Sequence, residues 1–298
     1  METLCEAAEI DDRICLIVGD LGFSVVESFV ERFPDRFLNA GVAEQSMTGI
    51  ATGWALAEKK IVFTYSIANF PTMRCVEQVR NDVCAHKADV KIISLGSGIT
   101  YGPSGYSHFA VEDLAVMNAM PHMIIFTPAD PQEAKHCLDL AVRTPGPAYI
   151  RLAKSGEPNL RQSFVPFEIG DFVEYKSGND LCVLGIGSIL SECLSAAKML
   201  EPSLSASVLG LPVLKPLNEK KLVEYLRPFP LLITVEEHSE HGGMAGIISE
   251  LVVRNGLSPR LIKISLPEGF DRVGPQEDLR KSSGLDAKSI AEKILGSI

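Results

Sequence analysis

The chain has 298 residues, long enough for two domains of ordinary size. With 46% hydrophobic and 22% charged residues it has the composition of a folded globular protein rather than a disordered one. Its formal net charge of −10 argues against nucleic acid or an anionic membrane as the main partner, since both call for a basic surface.

The N-terminus, Met1 to Asp12, is acidic where a secretory leader would be basic and apolar, and no apolar run reaches the length of a membrane span. Cys5, Cys15, Cys75, Cys84, Cys137, Cys182 and Cys193 are odd in number and include no C-x-x-C pair. They read as buried free thiols of a reducing cytoplasm, so a cytoplasmic location is expected.

In chain order, short β-branched runs alternate with helix-like stretches. Ile14–Val18, Ile61–Thr64, Val90–Leu95, Met123–Phe126 and Ala148–Leu152 have the pattern of buried parallel strands. Ala43–Glu58, Met73–His86, Glu112–Ala119 and Pro131–Arg143 are the intervening helices. The last opens on Thr127-Pro128-Ala129-Asp130-Pro131, a helix-start signal. Residues 154–180, rich in Gly, Pro, Ser and charge, read as a linker. A smaller alternation follows, with strands at Leu181–Gly185, Ala206–Leu209, Leu231–Val235 and Leu261–Ile264. Its helices are predicted at Leu190–Leu200, Asn218–Leu226, Met244–Asn255 and Asp286–Leu295. The expected fold is α/β, with a parallel-sheet domain over 1–153, the linker, and a smaller α/β domain over 181–298.

Ligands of open parallel sheets bind beyond the carboxyl ends of the strands, so the loops there carry the candidates. In Asn39-Ala40-Gly41-Val42-Ala43-Glu44-Gln45 a carboxylate opens a helix. It either complements the helix dipole or does chemistry. Gly49 and Gly53, on the same helix, let another backbone or another protein chain approach closely, or pack on the sheet. In Tyr65-Ser66-Ile67-Ala68-Asn69-Phe70, Ile67 and Phe70 either wall a flat ring or fill the core. The loop Gly96 to His108 has four glycines and a proline, and ends on a histidine able to act as an acid, a base or a substrate partner, or simply to cap a helix.

Taken together, these segments resemble the transketolase family. Asn39 to Gln45 is similar to the family's (N/D)-x-G-x-x-E-(Q/H) motif, Ser66 to Phe70 to its aromatic-bearing segment, and Gly105-Tyr106-Ser107-His108 to its Gly-x-Thr-His. Tyr149-Ile150-Arg151 resembles the segment that provides a substrate-binding arginine. Glu236 to Gly243 is similar to part of the family's C-terminal domain.

The resemblance implies a pyrimidine-binding domain of a thiamine-diphosphate enzyme followed by a transketolase C-terminal-like domain. It implies that Glu44 bonds N1′ of the cofactor's aminopyrimidine and favours the imino tautomer that deprotonates the thiazolium; such a glutamate should be buried. It gives His108 a catalytic and substrate-binding role. Asp20, Ile67 and Phe70 fall where cofactor contacts occur, and Ser104 and Arg151 where substrate contacts occur.

The family's Mg²⁺ motif, Gly-Asp-Gly followed downstream by Asn, is missing; Gly19-Asp20-Leu21-Gly22 does not match it. No metal ligand is therefore expected in this chain, and the diphosphate and Mg²⁺ fall to a separate partner subunit, in an α2β2 assembly with the cofactor at the interface. An isolated chain should expose the apolar face meant for that partner. Ser104 stands where the family usually has an aspartate, and Gly96 where it commonly has a histidine, which implies a ketol transfer on a less phosphorylated or modified sugar. Met1 falls inside what resembles the family's first helix, which implies that preceding residues are missing. Two other functions are compatible with the same fold: the beta subunit of a 2-oxo acid dehydrogenase-type decarboxylase, and a non-catalytic regulatory subunit. The roles of His238 and His241 stay open between binding and an interdomain contact.

Overall fold

A computed structural model describes residues 1–298. The first half runs α1 (Glu2–Ile10), β1 (Ile14–Val18), α2 (Glu27–Arg32), β2 (Phe37–Asn39), α3 (Glu44–Ala57), β3 (Ile61–Ile67), α4 (Val76–Gln78), β4 (Val90–Leu95), α5 (Asp113–Ala119), β5 (Ile124–Phe126), α6 (Pro131–Arg143) and β6 (Ala148–Leu152). The second half runs β7 (Val173–Lys176), β8 (Leu181–Gly185), α7 (Leu190–Met199), β9 (Ala206–Gly210), β10 (Val213–Lys215), α8 (Glu219–Leu226), β11 (Leu231–Ser239), α9 (Met244–Arg254), β12 (Arg260–Leu266), α10 (Gln276–Ser282) and α11 (Ala287–Leu295).

Two sheets form, ordered β10-β5-β6-β4-β3-β1-β2 and β12-β11-β8-β9-β7. All neighbours are parallel except β10 on β5 and β7 on β9, which close edges antiparallel. The expected parallel strands are buried on both faces, and their alternation shows it. Ile14, Leu16 and Val18 pack into one core cluster and Cys15 and Ile17 into another across the sheet. The helix starts follow from capping chemistry: Asp130, Asn218 and Asp286 each accept a backbone N–H from the first turn of α6, α8 and α11. All seven cysteines are buried and unpaired, as expected. No helix is long and apolar enough to cross a membrane.

Three features depart from the sequence reading. The segment 154–180 is more than a linker, because it contains β7, which pairs with β9 at the edge of the second sheet. Strand β10 lies in the second half of the chain yet joins the first sheet, so the two halves interlock. The helix predicted over Met73–His86 is a 3₁₀ turn, one short α segment and a π-helical stretch, Val79–Cys84. Such π segments widen the helix locally and often lie at functional sites.

Candidate active site

Glu44 is the first residue of α3, directly beyond the carboxyl ends of β1 and β3. It lies in the first turn of α3 and is 1% exposed. Ser66 Oγ donates to Glu44 Oε1 at 3.2 Å. Arg74 Nη1 donates to Oε2 at 2.7 Å. Gly19 abuts the carboxylate closely: a Cβ there would lie 3.4 Å from Oε1. The carboxylate is thus buried, with Ser66 and Arg74 as its side-chain partners.

Around it the loops gather the other candidates. Ile67 and Phe70 are half-buried at the end of β3 and just past it. The Phe70 ring lies 5.3 Å from the His108 ring in an edge-on arrangement, and the Arg74 guanidinium carbon sits 4.4 Å from the Phe70 centroid. His108 Nδ1 is 3.0 Å from Ser107 Oγ. Phe70 and His108 are therefore brought together, with Phe70 linked to Glu44 through Arg74, whereas Ser104 is exposed on the preceding 3₁₀ turn. Asp20 is exposed with φ 57°, and it exchanges hydrogen bonds with Asn39: its N–H donates to Oδ1, and Nδ2 donates to its Oδ1, both at 3.0 Å. Asn39 Oδ1 also accepts from Gly41 N–H at 2.9 Å, so one asparagine pins two strand-end turns and the start of α3.

The second half shapes the glycine-rich loop. Gly98 (φ +60°) faces Glu237, and a Cβ there would fall 2.4 Å from the Glu237 side chain. At Gly102 a Cβ would meet the Gly274 carbonyl at 2.1 Å. These close approaches explain why glycine stands at both positions.

Arg151 has a structural role at the base of the loop. It is 3% exposed, and its Nε and Nη2 are engaged inside the fold: Nε donates to Asp113 Oδ2 at 2.7 Å, and Nη2 to Ala110 O at 2.7 Å and Glu237 O at 3.0 Å. Burial opposes its charge, but Asp113 and then Tyr149 outweigh burial and raise its pKa. Arg151 braces the end of the loop, the start of α5 and β11. Nothing in the local segment Tyr149-Ile150-Arg151 distinguishes a bracing arginine from a binding one.

In Glu236 to Gly243, Glu236 caps α9, accepting Met244 N–H at 2.7 Å and Ala245 N–H at 2.8 Å. Glu237 pairs with Arg280 at 2.5 Å. His238 is fully buried, with Nδ1 2.9 Å from Ser239 O and Nε2 3.4 Å from Ala115 N of α5, which is an interdomain contact. His241 is exposed beside Glu240. Sequence reasoning missed Arg74, Ser66 and Asp113. The available signal was a basic residue four positions after the ring residue Phe70, and it was absorbed into a predicted helix.

Gly49 and Gly53 do not pack on their own sheet, since nothing lies within 4 Å of a Cβ at either position. They sit on an outer face of α3 where Val42, Ile50 and Leu56 are exposed, with Met73 and Val76 exposed on the neighbouring turns.

The chain matches the family models "Transketolase, pyrimidine binding domain" over residues 1–158 and "Transketolase, C-terminal domain" over residues 170–290. A protein of Methanocaldococcus jannaschii, provisionally named a transketolase C-terminal section, is 35% identical over 99% of this chain and 93% of its own. A protein of Actinobacillus succinogenes, named as a subunit of apulose-4-phosphate transketolase, is 31% identical over 95% of this chain and 92% of its own. A solved structure described as "Split gene transketolase, inactive beta4 tetramer" superposes with TM-score 0.88 at 33% identity, covering 99% of this chain and 95% of the other.

Proposed function

The chain belongs to the transketolase family, and from that premise we propose that it is one subunit of a two-component, thiamine-diphosphate-dependent transketolase. In this reading it supplies the glutamate that activates the aminopyrimidine. The diphosphate and Mg²⁺ are held by a separate polypeptide, in an α2β2 assembly, and the pair transfers a two-carbon ketol unit between sugars. The observation that carries the proposal is Glu44: a carboxylate 1% exposed at the strand ends, linked through Arg74 to the half-buried Phe70 ring. This donor set fits a flat, N-heterocyclic ring, with an acid at its edge and apolar walls at its faces. The exposed apolar face of α3 suits a partner subunit. One relative is named as a transketolase subunit, and a structural neighbour is described as an inactive tetramer of beta chains, which supports a catalytic unit completed by another polypeptide.

When bound, thiamine diphosphate supplies the thiazolium carbon that adds to a ketose and takes up the electron pair of the broken C–C bond. The work of this chain is then to hold a proton at a Glu44 carboxylate oxygen and to orient the ring with Ile67 and Phe70, with Asp20 nearby in the cofactor region. His108 serves as proton donor or acceptor to the substrate, and Ser104 as a substrate contact on the loop. Ser104 and Gly96 favour a modified or less phosphorylated sugar over xylulose 5-phosphate with ribose 5-phosphate, and the relative named for apulose 4-phosphate points the same way.

The test is reconstitution with the partner subunit, cofactor and Mg²⁺, followed by Glu44→Gln. A loss of at least ~10²-fold in turnover supports the assignment, as for a positioned acid/base group. Unchanged turnover assigns the chain a non-catalytic role. Turnover of pyruvate with an electron acceptor, in place of ketol transfer, places it with the 2-oxo acid decarboxylating enzymes. Turnover of the two pentose phosphates at rates matching a modified sugar overturns the narrower substrate reading.

A further inference from the structure

A buried carboxylate needs a counter-charge or a set of hydrogen bonds, because leaving it bare in a low-dielectric pocket is costly. Glu44 meets that need in an asymmetric way. Its Oε1 is held by Ser66, a buried side chain on the strand itself. Its Oε2 is held by Arg74, whose side chain is 45% exposed and is anchored only on the short 3₁₀ turn Met73–Cys75. One partner belongs to the wall of the pocket; the other reaches in from the surface.

The guanidinium of Arg74 is planar and cationic and presents N–H donors along its edge. It donates to Glu44 at 2.7 Å and lies over the Phe70 ring at 4.4 Å to the centroid. Those are the two contacts that the reading above assigns to the aminopyrimidine: an edge on Glu44 and a face on Phe70. Two planar groups cannot hold the same carboxylate oxygen and the same ring face at once.

We propose that Arg74 is a placeholder for the aminopyrimidine: in the free subunit its guanidinium fills the ring's seat and neutralises Glu44, and it swings out to solvent when the ring arrives. Ser66 stays in place through the exchange and keeps the carboxylate oriented. Arg74 is in this sense a positioning residue, acting through Glu44. The exchange swaps one N–H donor on Glu44 for another, so the acid is never bare, and the chain remains unreactive until the cofactor is seated. The inference rests on the assignment of Glu44 and Phe70 to the ring.

The experiment uses Arg74→Ala, Arg74→Lys, Glu44→Gln and the Arg74→Ala/Glu44→Gln pair. Melting temperatures of the free chain give the coupling between the two positions. The same cycle is repeated on the reconstituted complex saturated with thiamine diphosphate and Mg²⁺. Coupling in the free chain that vanishes in the loaded complex is the expected result, and coupling that persists unchanged overturns the proposal. Calorimetric titration of the complex with thiamine diphosphate is the second measurement. Removing a competitor that holds the seat about nine-tenths of the time tightens apparent affinity about tenfold. Arg74→Ala should therefore bind more tightly by that order, with Arg74→Lys nearer the parent because a lysine keeps the charge but lacks the planar fork. Equal or weaker binding by Arg74→Ala, with Glu44→Gln still inactive, sinks the placeholder and leaves the assignment of Glu44 standing. Full turnover by Glu44→Gln brings down both.

Discussion

Arg151→Met separates the two roles that an arginine at this position can have. In the structure the Arg151 and Asp113 side chains are 3% and 0% exposed, and Nε to Oδ2 is 2.7 Å. Removing the guanidinium strips Asp113 of its cation, leaving the Tyr149 hydroxyl at 2.6 Å as its remaining side-chain partner, and takes one donor each from the Glu237 carbonyl and the Ala110 carbonyl, the latter still held by Gly98 N–H at 3.1 Å. Breaking a buried pair by deleting one partner costs roughly 3–5 kcal/mol, mostly because the other charge stays buried. For a chain of this size that corresponds to a fall in melting temperature on the order of 5–10 °C. Arg151→Met paired with Asp113→Leu removes both charges and should recover much of the loss. The assay is a thermal melt of each variant, beside steady-state kinetics of the reconstituted pair. A bracing arginine shows the large melting shift and the recovery. If Arg151→Met melts within ~1 °C of the parent, well inside the shift expected for a broken buried pair, and raises only KM for a phosphorylated sugar, the bracing argument is refuted and the residue binds substrate.

Glu133 predicts a pH dependence. Burial pushes its carboxyl up from 4.5 to about 7, against the hydrogen bonds it accepts from Tyr175 and Ala129. The folded state therefore binds the proton more tightly than the unfolded chain, so its contribution is full below pH ~4.5 and is lost as pH rises through ~7. That loss amounts to about 3 kcal/mol, and chemical denaturation of Glu133→Gln should show a shallower decline between pH 5 and 8 than the parent. Gly98→Ala should lower the melting temperature and impair turnover, because φ +60° and the Glu237 side chain leave no room for a Cβ. Gly53→Ala, in open space on α3, should stabilise the free chain by about 0.5–1 kcal/mol in the same melts. Glu236→Ala should destabilise by about 1 kcal/mol, with lost hydrogen-exchange protection at Met244 and Ala245.

Much of this molecule was legible in the amino-acid order because its signals are local. Parallel strands such as Ile14–Val18 and Leu181–Gly185 announce themselves as apolar runs, since both faces must be buried. The start of α6 is written in Asp130-Pro131, because a cap and a first-turn proline act within one turn of helix. Glu44, Phe70 and His108 stand out as candidates in the sequence because each follows a strand end, where an open sheet places its ligands. What the order of residues could not show were partners chosen across the fold. Strand β10 joins the first sheet through pairing with β5 far upstream, and three residues of strand carry too little pattern to reveal it. Arg151 reads alike whether it faces a substrate or Asp113, and only packing put Asp113, Ala110 and Glu237 around it. Arg74 comes to rest on Glu44 from 30 positions away because the chain turns back at the end of β3. Periodicity and capping are properties of neighbours in sequence, whereas the counter-ion of a buried charge is set by which distant surfaces the core brings together.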